Sequence, residues 1–260
     1  MQQDPQTRTN GWNRPQAQPD RGEVQVPGAA HLGQVGEVEH GKRSEMAVTF
    51  MNHVFGWMAG GLALSGFIAY IVLSSDALFN MVGQMYLPLI IGELIMVFVL
   101  SARLHKMSAV TAGAMFLTYA ALNGLTLGIL VALYTGASVA RVFFITSGTF
   151  GAMAVIGATT KKDLTSMGSF LMMGVIAIII AMVVNMFLNS TALDFVVSVL
   201  GALIFAGLTA YDVQKFKAKG YMGFRTKREA SQGAIRGALN LYLDFINMFI
   251  FLLRLFGNRR

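Results

Sequence analysis

The sequence predicts an all-α membrane protein, a seven-transmembrane-helix bundle with its last helix central, and three observations lead there. Of 260 residues, 55% are hydrophobic and 13% charged, where a soluble domain carries about a quarter charged residues. The apolar residues gather in uncharged runs of about 20, the length that the hydrocarbon core of a bilayer demands of a helix. Seven such runs follow one another at short intervals. A membrane β-barrel would instead show short alternating segments.

In chain order, residues 1–45 form a polar tail holding four of the five prolines (Pro5, Pro15, Pro19, Pro27). Too few apolar residues offset its ordering entropy, so the tail is expected to be disordered and cytoplasmic. It carries no apolar segment of the kind that marks a secretory signal. Residues 46–260 then form one domain. The expected spans are residues 54–73, 85–102 (with Pro88 in its opening turn, where proline is tolerated), 109–133, 142–160, 167–188, 193–213 and 234–256.

Orientation follows from the basic residues. Lys42 and Arg43 precede the first span, Arg103 and Lys106 separate the second from the third, and Lys161 and Lys162 the fourth from the fifth. Seven more, from Lys215 to Arg236, crowd the region between the sixth and seventh. The opposite loops offer only Arg141. Basic loops stay in the cytoplasm, so the N-terminus is expected there. Seven crossings then put Arg254, Arg259 and Arg260 on the far side, against the same rule. Either those charges are tolerated, or the last segment does not fully cross.

The net charge of +7 is the charge of these loops, not of a nucleic-acid-binding face. The chain has no cysteine, which excludes disulfides and thiolate chemistry. No phosphate-binding loop supports ATP-driven pumping, the last span has no lysine for a Schiff base, and the four histidines lack metal-site spacing. No cofactor and no enzymatic activity are expected. Two small-residue pairs, Gly56 with Gly60 and Gly124 with Gly128, have the spacing that lets membrane helices approach closely. Ordinary packing within the bundle is their expected role.

Ionisable groups inside hydrocarbon need a partner or water. Three acids stand out: Glu93 in the second span, Asp212 near the end of the sixth, and Asp244 in the seventh. From Asp244, steps of three and four residues, which share a helical face, reach Asn240 and Arg236 in one direction, then Asn247, Phe251 and Arg254 in the other. Such a stripe must face protein or a hydrated path, which makes the last helix central. A purely structural hydrogen-bonding network is the alternative role for these groups, and for Glu93 in particular a buried acid bonded to a neighbouring Ser or Asn. Arg103 is the nearest cation available to both aspartates.

The run from Leu241 to Asn247 (Leu-Tyr-Leu-Asp-Phe-Ile-Asn), continued by Leu252-Leu253-Arg254-Leu255-Phe256-Gly257, resembles the last span of the Bax inhibitor-1 family, also called the transmembrane Bax inhibitor motif family. Tyr211-Asp212 resembles the end of its sixth span. Ser147-Gly148-Thr149-Phe150 with Lys161-Lys162-Asp163-Leu164 resembles its fourth span and following loop, and Glu93 an acidic position in its second. The likeness is to bacterial members and covers residues 45–257. It implies a protein of the bacterial inner (plasma) membrane and a pH-sensitive calcium leak channel. In that family two aspartates share a proton and engage an arginine, closing the path. Asp212 and Asp244 match the aspartates, with Arg103 the candidate latch. Glu93, Asn240 and Asn247 are candidates to line the cation path, and Asp212 and Asp244 to hold calcium transiently.

Calcium is then cargo, with lipid as the surroundings. Two other readings stand beside transport. One is a non-transporting regulator with a membrane-protein partner such as a protease, or one acting against cell death. The other is an intramembrane aspartyl protease. That class needs Gly-Xaa-Gly-Asp at its second aspartate, where this chain has Leu241-Tyr242-Leu243-Asp244.

Overall fold

The computed structural model describes residues 29–260. The expected tail therefore falls largely on residues outside the described ones. The chain divides into two compact units, Met1–His40 and Gly41–Arg260, and the second holds everything that follows. The helices are α1 (Ala29–Leu73), α2 (Asp76–Gln84), α3 (Tyr86–Arg103), α4 (Ala109–Ala132), α5 (Gly136–Thr159), α6 (Thr165–Leu188), α7 (Thr191–Met222) and α8 (Lys227–Phe256). A single 3₁₀ turn, Leu104–Lys106, follows α3. All but α2 are long and apolar enough to cross a bilayer. The protein is a multi-pass integral membrane protein.

Local chemistry sets the boundaries. No proline lies between Pro27 and Pro88, so nothing breaks α1 before the first span. Residues 29–45, expected to belong to the tail, are its opening turns. Ser108, Ser190 and Thr226 each accept a backbone N–H three residues on, opening α4, α7 and α8 as Ser and Thr do at N-caps. Asn189 ends α6 with φ of 47°, the left-handed conformation that asparagine tolerates. The unexpected element is α2, a nine-residue helix capped by Ser75, too short to span.

The bundle is built around α8. Over its apolar stretch 61% of residues are buried, against 6% in α6. Helices α4, α5 and α7 line it, and α1 joins them where Val54 meets Gly237 and Ser65 meets Tyr242. Helix α6 packs on α7 and turns Phe170, Met173, Ile180 and Phe187 outward. The small-residue pairs divide. Gly124 and Gly128 seat α4 against α1, where a Cβ on Gly124 would stand 2.7 Å from the Ser65 carbonyl oxygen. Gly56 and Gly60 face open space instead, so that pair does not serve packing within the bundle.

The two ends of the bundle differ in chemistry. At the basic end, side chains of α7 and α8 cap the carbonyls of neighbouring turns. Lys217 donates to Ala158 O, Arg228 to Met107 O at 3.0 Å and Arg236 to Ser101 O at 2.9 Å. Gln214 both accepts from Leu164 N and donates to Lys162 O. At the opposite end the chain terminus lies against the α4–α5 turn: Thr135 N donates to Asn258 O and Arg260 N to Leu133 O. The last helix therefore runs the full length of the bundle.

Candidate functional site

A helix turns about 100° per residue, so Tyr242 and Asp244 leave α8 on nearly opposite sides. Each belongs to a separate buried polar cluster.

On the α7 side, Asp212 and Asp244 are both buried, and Asn240, one turn before Asp244 on α8, reaches Asp212. Asp212 Oδ2 accepts from Asn240 Nδ2 at 3.0 Å, and its Oδ1 lies 3.8 Å from Lys215 Nζ. The half-exposed Lys215 ammonium lies over the rings of Tyr211 and Phe216, 5.3 and 5.6 Å from their centroids, at the basic end. Asp244 Oδ2, by contrast, has no hydrogen-bond partner among the described residues. A buried carboxylate oxygen with no donor is costly, so this cluster is incomplete as it stands. Asn247 donates to the Leu243 carbonyl of its own helix.

On the other side lies Glu93. Its Oε1 accepts from Thr126 at 2.8 Å and its Oε2 from Asn123 at 3.2 Å. Asn123 Oδ1 in turn accepts from the Tyr242 hydroxyl at 3.0 Å, and that hydroxyl meets Ser65 Oγ at 2.7 Å. Ser65 Oγ also lies 2.7 Å from the Ala120 carbonyl, which competes with Tyr242 for its one proton. Four helices (α1, α3, α4, α8) are thus joined through one chain of hydrogen bonds. The Tyr242 ring is held edge-on by Phe116 and Tyr119.

Of the residues singled out from sequence, Asp212, Asp244 and Asn240 come together. Glu93 does not join them, nor does it meet Asn247. Arg103 is exposed at the end of α3 and, among the described residues, pairs with neither aspartate; the cation beside Asp212 is Lys215. Sequence reasoning missed Lys215, because a lysine just past a span reads as a cytoplasmic anchor. It also missed Asn123 and Thr126, polar residues inside the third span that could have been flagged as the acids were. A third feature, at the end opposite the basic loops, is the ion pair of Arg254 Nη1 with Asp194 Oδ1 at 3.4 Å. It borders a cavity of about 250 Å³ shared with Asn185, Asn189 and Val197. Among the described residues, no three or more His, Cys, Asp or Glu gather as a metal site would require.

Comparison with known proteins supplies the family. Residues 47–260 match the family described as inhibitor of apoptosis-promoting Bax1. The inner membrane protein YbhL of Escherichia coli K12 is 45% identical over 216 residues, which is 82% of this chain and 92% of that protein. An uncharacterized protein of Deinococcus radiodurans is 44% identical, over 84% of this chain and 94% of its own. An uncharacterized membrane protein of Streptococcus pyogenes serotype M3 is 36% identical, over 80% and 92%. With a match across the whole bundle and relatives this similar over nearly their full length, the chain belongs to the Bax inhibitor-1 family.

Proposed function

We propose that the protein is a pH-sensitive calcium leak channel whose path is gated by the Asp212–Asp244 pair. The observation that carries this reading is the incomplete hydrogen bonding of a buried diacid. Two carboxylates close together in a poorly hydrated site cannot both ionise cheaply, so the pair shares a proton, and its titration belongs to both groups together. Calcium takes carboxylate and amide oxygens, and Asp212, Asp244 and Asn240 offer that set to an ion in transit. Lys215, 3.8 Å from Asp212, is the resident counter-ion that an entering cation displaces, with Arg103 free to approach from the same end.

Calcium flux into liposomes carrying the purified protein, measured across pH, tests the proposal. Flux should depend on pH, and Asp212→Asn or Asp244→Asn should each flatten the curve. Absence of flux at any pH would overturn transport. The membrane is the bacterial inner membrane, with the basic loops in the cytoplasm. Because the chain lacks cysteine, single cysteines at Ser231 and Asn258 report the topology. An impermeant thiol reagent applied to intact cells should label Asn258→Cys and spare Ser231→Cys.

A further inference from the structure

The α7–α8 interface is a polar seam along the bundle, with one apolar break. On α7, Asp194, Ser198, Gly201, Phe205, Thr209 and Asp212 recur at intervals of three and four and so share a face. On the antiparallel α8, Asn240, Asp244, Asn247, Phe251 and Arg254 do the same. The two faces meet at three levels. Asp212 meets Asn240 at the basic end, Asp194 meets Arg254 at the opposite end, and between them the Phe205 and Phe251 rings stack at 6.0 Å and 21°. Phe251 is received by Gly201, where a Cβ would stand 2.6 Å from the ring; only glycine leaves that space.

Two buried polar atoms lack a partner among the described residues, Ser198 Oγ and Asp244 Oδ2. By position along their helices they flank the stacked rings, Ser198 two turns beyond Phe205 towards one end and Asp244 two turns before Phe251 towards the other. Unsatisfied polar atoms on both sides of an apolar barrier are what a water path leaves behind when it is interrupted, because each would bond water in a hydrated seam. Apolar constrictions close pores by excluding water. We propose that the stacked Phe205–Phe251 pair is the hydrophobic gate of a cation path running along the α7–α8 seam. This rests on the transport reading above and adds where the path lies and what closes it. The polar pairs at either end are its mouths, and the diacid lies on the basic-end side of the gate.

The test uses the full chain in liposomes and two readouts. Phe251→Ala should raise calcium leak at least several-fold under conditions where the wild-type protein is closed. Phe205→Ser, which wets the constriction from the α7 side, should do the same and serves as the second variant if the first does not fold. Independently of calcium, a cysteine at Asn247, on the basic-end side of the rings, should resist a small cationic thiol reagent applied from the opposite end. It should become reactive once Phe251→Ala or Phe205→Ser is added. Unchanged leak together with a protected cysteine in both variants would overturn the gate. Labelling that responds to the variants in a protein that carries no calcium would uphold the gate and overturn the calcium reading alone.

Discussion

Glu93 and Asp244 are buried to nearly the same degree on opposite sides of one helix system, 8% and 5% exposed, yet their surroundings differ. Both oxygens of Glu93 are taken by donors from α4, and the network closes through Tyr242 onto α1. One oxygen of Asp244 has no partner among the described residues. A satisfied buried network fixes a unique arrangement of helices, whereas a half-satisfied one is a source of strain that persists only for a reason. One acid has both oxygens bonded; the other keeps an oxygen that the proposed gating would use to exchange partners.

The largest expected contrast is in transport. Glu93→Gln should retain the pH dependence of calcium flux, while the double variant Asp212→Asn with Asp244→Asn loses it no more completely than either single change, as coupled groups do. A flattened curve in Glu93→Gln would move the sensor to the other face of α8.

Stability should show the reverse order. Glu93→Leu leaves the Asn123 amide without its acceptor, at about 1–3 kcal/mol for that buried group, while Thr126 keeps the Asn123 carbonyl. Thermal unfolding in detergent should fall accordingly. Asp244→Asn should be neutral or stabilising in the same assay. Equal losses in both variants would erase the distinction between the clusters.

A smaller effect is expected from Tyr242→Phe, which keeps the edge-on packing against Phe116 and Tyr119 and removes only the hydroxyl joining Ser65 to Asn123. The loss should be about 1 kcal/mol. A null result by the same unfolding measurement would mean that the network divides into independent halves.

The smallest concerns an acid of a third kind. Asp163, fully exposed in the loop before α6, is held below its ordinary value of 3.8 by the Thr165 hydroxyl and then the Thr165 backbone N–H. A depressed carboxylate contributes stability above its unfolded value and loses it as pH falls through the folded one. Thr165→Val should therefore move the Asp163 titration back towards 3.8, seen by NMR, and leave flux unaltered.

Hydrophobic continuity made seven crossings legible, because each lipid-facing surface must be apolar wherever its helix packs. Helix α6 is the clearest case, apolar all round and buried almost nowhere. The same signal misplaced the helix ends: α7 continues as helix past Lys215 to Met222, and α8 begins at Lys227, not near residue 234. Those turns carry Lys, Arg and Glu, which end a hydropathy run without ending a helix. The short α2 gave no span-length run to detect. Within the site, periodicity placed Asn240, Asp244 and Asn247 along α8, since those positions belong to one helix. Which residues meet across helices depends on axial register between segments far apart in the chain. The Glu93–Asn123 bond, the Lys215–Asp212 contact and the Phe205–Phe251 stack are all of that kind, and no spacing within a span encodes them.

The clasped chain terminus restricts how the bundle can move. Helix α8 is tied at one end by Arg228 and Gln232 to the turn after α3 and by Arg236 to the last turn of α3, and at the other by residues 258 and 260 to the α4–α5 turn. A rod pinned at both ends cannot slide like a piston without breaking one set of bonds. It can serve as an axle. Any rearrangement then falls to the helices packed around α8.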